Sequence, residues 1–246
     1  MNIGTMLRSL GPIDVRNVRR DSMTSWMIFI PIILALIMRW GVPPLNTWLI
    51  EQHNFNLVEY YPVLLAYLFI GMCPMVFGVV IGFLLVDEKD DNTLTALQVT
   101  PLPLSSYLVY RVTIPIILTF VLMFVIFPLA NLTSINLDEI LYSAIAAAPM
   151  APMLALMIAS IAQNKVQGFA LMKLMGIVLL APVLAYFAPA GWELAFGIFP
   201  TYWPMKVYWL LYAGETNIWL YLLIAVVYQS LVTVLLARRF YKVLHQ

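Results

Sequence analysis

The side chains able to do acid–base, nucleophilic or metal chemistry are few and badly placed for catalysis. The chain has 246 residues with two histidines, one cysteine and twelve carboxylates. The histidines are His53 and His245, too few for imidazole chemistry, and the lone Cys73 excludes a disulfide framework or a thiolate cluster. The acids are Asp14, Asp21, Glu51, Glu59, Asp87, Glu88, Asp90, Asp91, Asp138, Glu139, Glu193 and Glu215, and all avoid the middles of the apolar runs. A proton- or sodium-coupled transporter needs a carboxylate near the bilayer midplane, so this placement argues against secondary transport. An intramembrane protease lacks its His or its Asp pair for the same reason. No glycine opens a G-x-x-x-x-G-K-[ST] phosphate loop, so the chain has no ATPase site of its own. Catalytic residues: none. Metal ligands: none. Energy for uphill movement would have to come from another polypeptide.

The informative cluster runs from Asp87 to Leu104. Asp87, Glu88, Asp90 and Asp91 leave an apolar run, Asn92 or Thr93 can cap a helix, and Pro101 ends it about two turns later. Leu94 and Leu97 are three apart and share one helical face. Such a short, capped, half-apolar helix suits a groove on a soluble partner; a solvated connecting loop is the other reading of the same residues.

The elements that hold this segment follow from composition. The chain is 63% hydrophobic and 10% charged, with mean hydropathy +0.92, against about 45–50% and 25% in soluble domains. Thirteen Lys+Arg against twelve Asp+Glu is a net charge of +1, not the basic excess of a nucleic-acid binder. A membrane-crossing helix needs about 20 mostly apolar residues. Six runs qualify: Met23–Trp40, Tyr61–Val86, Leu104–Leu129, Glu139–Ala162, Gly168–Phe187 and Ile218–Ala237. The stretch Trp192–Tyr212, broken by Pro200, Pro204 and Lys206, reads as an outer re-entrant pair of short helices. The fold class is therefore an all-α integral membrane protein: six transmembrane helices, an N-terminal interfacial helix and the re-entrant element. It reads as a single transmembrane domain over 1–246, with an arm at 1–22, the loop at 87–103 and the re-entrant segment at 190–216.

Lys and Arg set the orientation. With the N-terminus inside, Arg8, Arg16, Arg19, Arg20, Lys89, Arg111, Lys165, Lys173, Arg238, Arg239 and Lys242 are cytoplasmic, and Arg39 and Lys206 are outside. Both termini then face the cytoplasm. The first run is read as an anchor and not a cleaved leader, because Arg39-Trp40-Gly41-Val42-Pro43-Pro44 follows it. In the arm, Pro12 and Asp14 suggest a helix start with Asp14 as N-cap. Arg16, Arg19 and Arg20 then face anionic headgroups or form an ordinary positive-inside flank.

The run Asp87-Glu88 … Asn92-Thr93-Leu94 … Ala96-Leu97 … Val99-Thr100-Pro101-Leu102 resembles the acidic, Thr-Leu, Thr-Pro-Leu signature of type-two ABC exporter permeases. Asn92 stands where many relatives carry Gly, and Asn also tolerates left-handed backbone. Arg19-Arg20-Asp21-Ser22 is similar to the family's elbow helix, and Asn164-Lys165-Val166-Gln167-Gly168 to its turn between spans four and five. Phe199-Pro200-Thr201-Tyr202-Trp203-Pro204 is similar to a stretch of the fluoroquinolone-export permease subgroup. The resemblance implies a type-two permease fold in a prokaryotic plasma membrane. It implies that Asp87, Glu88, Asp91, Asn92, Thr93, Leu94, Leu97, Thr100 and Pro101 couple to a nucleotide-binding subunit carrying ATP and Mg²⁺. A second permease chain, identical or paralogous, completes the pair. The substrate class would be drugs, lipids or peptides. A non-transporting scaffold that recruits a soluble partner is the competing function. A channel lacks a polar stripe.

Other residues admit two readings each. Arg39 could bind an anion or simply snorkel. Glu193 and Lys206 could form an outer gate with Tyr202 and Trp203, or an interfacial ion pair. Tyr202, Trp203, Tyr208, Trp209 and Tyr212 could line an exit or form an aromatic belt. Lys173 could meet Glu88 or Asp91, or serve the positive-inside bias alone. Prolines at 31, 74, 115, 128, 149, 152 and 182 permit kinks, and the 14 methionines give a repackable lining.

Overall fold

The computed structural model describes residues 3–91, 104–189 and 191–243, and these are helical with short connections. In chain order they are α1 (Ile3–Arg20), α2 (Ser22–Trp40), α3 (Val42–His53), α4 (Leu57–Asp90), α5 (Leu104–Ala130), α6 (Leu137–Ile161), α7 (Lys165–Tyr186), α8 (Tyr202–Tyr212) and α9 (Trp219–Val243). A 3₁₀ turn, Trp192–Ile198, precedes α8. Among the described residues, five helices, α4 to α7 and α9, are long and apolar enough to cross a membrane. The stretches Leu10–Arg20 and Thr24–Trp40 pass that test only together, and they meet at 87°. The sixth apolar run is thus a helix whose polar start turns sharply into the arm.

Local chemistry explains most boundaries. Pro43 and Pro44 occupy the first turn of α3, where a missing N–H costs nothing; this helix is an addition to the elements that the apolar runs predict. It ends at Asn54, whose φ of 51° is left-handed. The Asn136 backbone N–H donates to Glu139 Oε2 at 2.8 Å, closing a reciprocal cap on α6. The Asn164 side chain accepts from the Gln167 N–H at 3.1 Å and starts α7. Pro12 and Asp14 do not start α1, which runs through both. Pro12 lies on the exposed side, where water can satisfy the carbonyl it frees, and Asp14 is spent on a tertiary contact instead of a cap.

Prolines also shape the long helices. A π turn, Ala66–Gly71, sits just ahead of Pro74 in α4, where a residue without N–H breaks the regular ladder. Pro149 splits α6 into Leu137–Ala147 and Met150–Ile161.

The core is the pair α4 and α6. Their most apolar windows are 89% and 78% buried, against 28% or less in α5, α7 and α9. Small residues let the two backbones approach. A Cβ on Gly78 would sit 2.7 Å from the Ala151 carbonyl oxygen, and one on Gly82 3.1 Å from that of Ala155. The Gly78–Gly82 spacing is the small-xxx-small pattern of close helix packing, and here it is used within one chain. Around this pair the other helices present Trp26, Phe29, Val121, Leu174, Leu223 and Leu231 outward, as lipid-facing or partner-facing surfaces do.

Aromatic rings fill the other end of the bundle. Phe69 meets Phe127 edge-on at 5.1 Å, and Phe127 meets Tyr208 at 5.6 Å. Tyr202, Tyr208 and Trp209 are buried in this layer, so an interfacial aromatic belt does not describe them. The segment 191–216 holds two short helical pieces, and α8 is embedded in protein rather than lying on its surface.

Candidate functional site

At the end of the bundle that holds the arm, one guanidinium gathers three helices. Arg111 lies two turns into α5 and is 2% exposed. A cation in an apolar run must find carboxylates or leave, and Arg111 finds two. Its Nη1 is 2.9 Å from Asp14 Oδ2 on α1, and its Nη2 donates to Glu88 Oε1 on α4. Its Nε donates to the Tyr107 hydroxyl at 2.6 Å, and that hydroxyl donates in turn to Glu88 Oε2. The Tyr110 hydroxyl donates to Asp14 Oδ2 at 2.7 Å. The guanidinium carbon also lies 5.1 Å from the Tyr107 ring centre and 5.7 Å from that of Tyr110. Tyr107 and Arg111 are four apart and share a helical face, which is why one turn of α5 supplies both.

A second node lies beside it. Lys165, the first residue of α7, reaches Asp21 Oδ2 at 2.5 Å and Asp87 Oδ2 at 3.1 Å. The Thr24 hydroxyl donates to the same Asp21 oxygen at 2.7 Å. Lys89 Nζ donates to the Ala162 carbonyl at 2.5 Å, neutralising the C-terminal end of α6. Together Asp87, Glu88 and Lys89 fasten the last turn of α4 to α5, α6, α7 and the arm. That turn is where the chain enters 92–103.

Of the residues singled out in the sequence for coupling, Asp87 and Glu88 therefore anchor this network. Asp91 closes α4, its N–H donating to the Asp87 carbonyl at 2.9 Å. Asn92, Thr93, Leu94, Leu97, Thr100 and Pro101 lie outside the described residues. Arg16, Arg19 and Arg20 are exposed along α1. Lys173 is exposed and does not meet Glu88 or Asp91; Arg111 already occupies the space beside Glu88. In the sequence Arg111 reads only as one more positive-inside residue. Its signal is in the sequence: an arginine with tyrosines one and four residues before it, inside an apolar run.

At the opposite end, Glu193 and Lys206 pair, with Lys206 Nζ 2.8 and 2.9 Å from the two carboxylate oxygens. The pair pins the 3₁₀ turn to α8, helped by the Trp203 indole N–H donating to the Gly197 carbonyl at 2.9 Å. Tyr202 is buried beneath, and Trp203 half-buried. Arg39 donates to the Leu129 carbonyl at 3.2 Å, at the C-terminal end of α5. Between the two ends, the buried Gln229 of α9 donates to the Ala146 carbonyl at 3.0 Å, at the break in α6.

The sequence matches the profile of the family described as "Fluoroquinolones export permease protein Rv2686c-like" over residues 14–237. The chain belongs to this permease family. It is 30% identical over 236 residues to the fluoroquinolones export permease protein Rv2686c of Mycobacterium tuberculosis strain ATCC 25618 / H37Rv. The corresponding protein MT2760 of strain CDC 1551 / Oshkosh is equally similar. Each alignment covers 95% of this chain and 93% of the relative. No solved structure matches the chain. As a member of the Rv2686c-like permeases, the protein is a membrane component of an export system, and the ion network at the root of 92–103 is a feature of that component.

Proposed function

We propose that the chain is the transmembrane subunit of an ATP-driven ABC exporter, a type-two permease of six spans with both termini in the cytoplasm of a prokaryote. A separate nucleotide-binding subunit supplies ATP and Mg²⁺, and a second permease chain completes the translocation unit. Glu193, Tyr202, Trp203 and Lys206 sit at the outer end, where substrate would leave. The cargo class is amphipathic drugs, since the relatives are named for fluoroquinolone export.

One observation carries this reading: Glu88–Arg111–Asp14 joins α4, α5 and the arm where the chain enters the amphipathic segment 92–103. A push on that segment reaches α4 and α5 directly. Lys165 passes it to α7 and to the junction between α1 and α2 through Asp87 and Asp21. Charge-assisted bonds in a buried setting hold fixed geometry better than apolar contacts, which slide. The helices around the segment would thus move as a block when the ATPase subunits close, turning the permease from inward-open to outward-open.

The test is co-purification with a soluble P-loop ATPase encoded in the same cell, followed by ATP-dependent drug uptake into inside-out vesicles. Leu94→Asp or Leu97→Asp places a charge in the docking face and is expected to cost several kcal/mol of association while membrane insertion stays intact. Full ATPase binding and uptake in both variants would sink the coupling assignment.

A further inference from the structure

A cavity of about 410 Å³ opens between the arm and the bundle, within the range of ligand sites. Its walls are apolar: Ile28 and Phe29 of α2, Phe77, Val80 and Leu84 of α4, and Ile114 of α5. Its rim is not. Arg19 borders this cavity and two neighbouring grooves, one running along Trp26 and Ile33 of α2 and the other along Arg16 and Arg20 of α1. The one carboxylate on its lining, Asp14, is held by Arg111 and by the Tyr110 hydroxyl, so it offers little repulsion to an anion. An apolar slot with the exposed Arg19 guanidinium at its edge, and Arg16 and Arg20 along the neighbouring groove, has the charge and shape of a site for a fatty chain carrying an acidic head.

We propose that this cavity holds an anionic phospholipid, one acyl chain between α2, α4 and α5 and its phosphate against Arg19. The site touches the coupling network, because Asp14 and Tyr110 both line it and both belong to the Arg111 cluster. A bound lipid therefore wedges the arm at the position in which Asp14 reaches Arg111, and it makes the arm a lipid-dependent part of the permease. Only the side of the membrane rests on the function proposed above; the binding itself needs neither ATP nor export.

Two variants test it. A Cβ on Gly11, which lines the cavity, meets nothing within 4 Å, so Gly11→Trp can fill the slot without moving the backbone. Arg19→Gln removes the headgroup contact from an exposed position. The full-length chain, purified in detergent, is incubated with phosphatidylglycerol or phosphatidylcholine of equal acyl length, and retained lipid is weighed by native mass spectrometry. The wild type is expected to retain phosphatidylglycerol about fivefold better than phosphatidylcholine, as one guanidinium predicts. Arg19→Gln is expected to erase that preference, and Gly11→Trp to lower retention of both lipids. Equal retention of the two lipids by the wild type, or unchanged retention in both variants, overturns the proposal. Because no nucleotide is present, none of these outcomes depends on whether the chain couples to an ATPase.

Discussion

Arg111 Nη1 lies 2.9 Å from the Asp14 carboxylate, and the second terminal nitrogen of the same guanidinium bonds Glu88. One buried cation thereby ties the N-terminal arm to both helices that flank 92–103. Removing it leaves two largely buried carboxylates without the cation they share. Arg111→Leu is expected to destabilise the protein by about 3–5 kcal/mol, read as a lower unfolding temperature in detergent. Arg111→Met combined with Glu88→Gln should recover much of that stability without restoring transport. A single variant as stable as the wild type would show that the network holds nothing.

The close approach of α4 and α6 gives a second prediction. In Gly78→Ala the new methyl meets backbone, the Ala151 carbonyl at 2.7 Å, and the helices must part at a cost of about 1–3 kcal/mol. Gly176, in α7, has nothing within 4 Å of its Cβ position. Gly176→Ala should stabilise by about 0.5–1 kcal/mol through helix propensity alone. Thermal unfolding of the two proteins side by side checks both signs; a neutral Gly78→Ala would refute the backbone contact.

Gln229 bridges α9 to the break in α6. Gln229→Leu removes a bond of 3.0 Å to the Ala146 carbonyl and is expected to cost about 1 kcal/mol. Amide hydrogen exchange around Ala147 and Met150 should quicken in the variant. Unchanged exchange there would mean that Pro149 sets the break without help from Gln229.

At the end of the bundle away from the arm, Glu193→Gln or Lys206→Gln should each cost no more than about 1 kcal/mol, because the pair is partly exposed. If the pair closes an outer gate, each single change should alter the rate of drug export in vesicles, and the swapped pair Glu193→Lys with Lys206→Glu should restore it. Export rates identical in all three variants would leave the pair as a fastener for the turn Trp192–Ile198.

The sequence alone determined where the apolar helices run, because hydrocarbon length and backbone satisfaction demand long unbroken runs that show in composition. Boundaries such as Leu104 and Trp40 lie within a few residues of the reading, and the cap at Asn164 needs only neighbours in the chain. Tertiary structure decided which of those helices is central. The run Tyr61–Val86 is no greasier to the eye than Leu104–Leu129, yet α4 is enclosed and α5 is not, because Gly78 and Gly82 let a second backbone in. It also decided which charges meet. Asp14 looked like a local cap and Lys173 like a partner for Glu88. Electrostatic attraction falls with distance through space and not along the chain, so only folding could bring Asp14 and Glu88 to the same guanidinium.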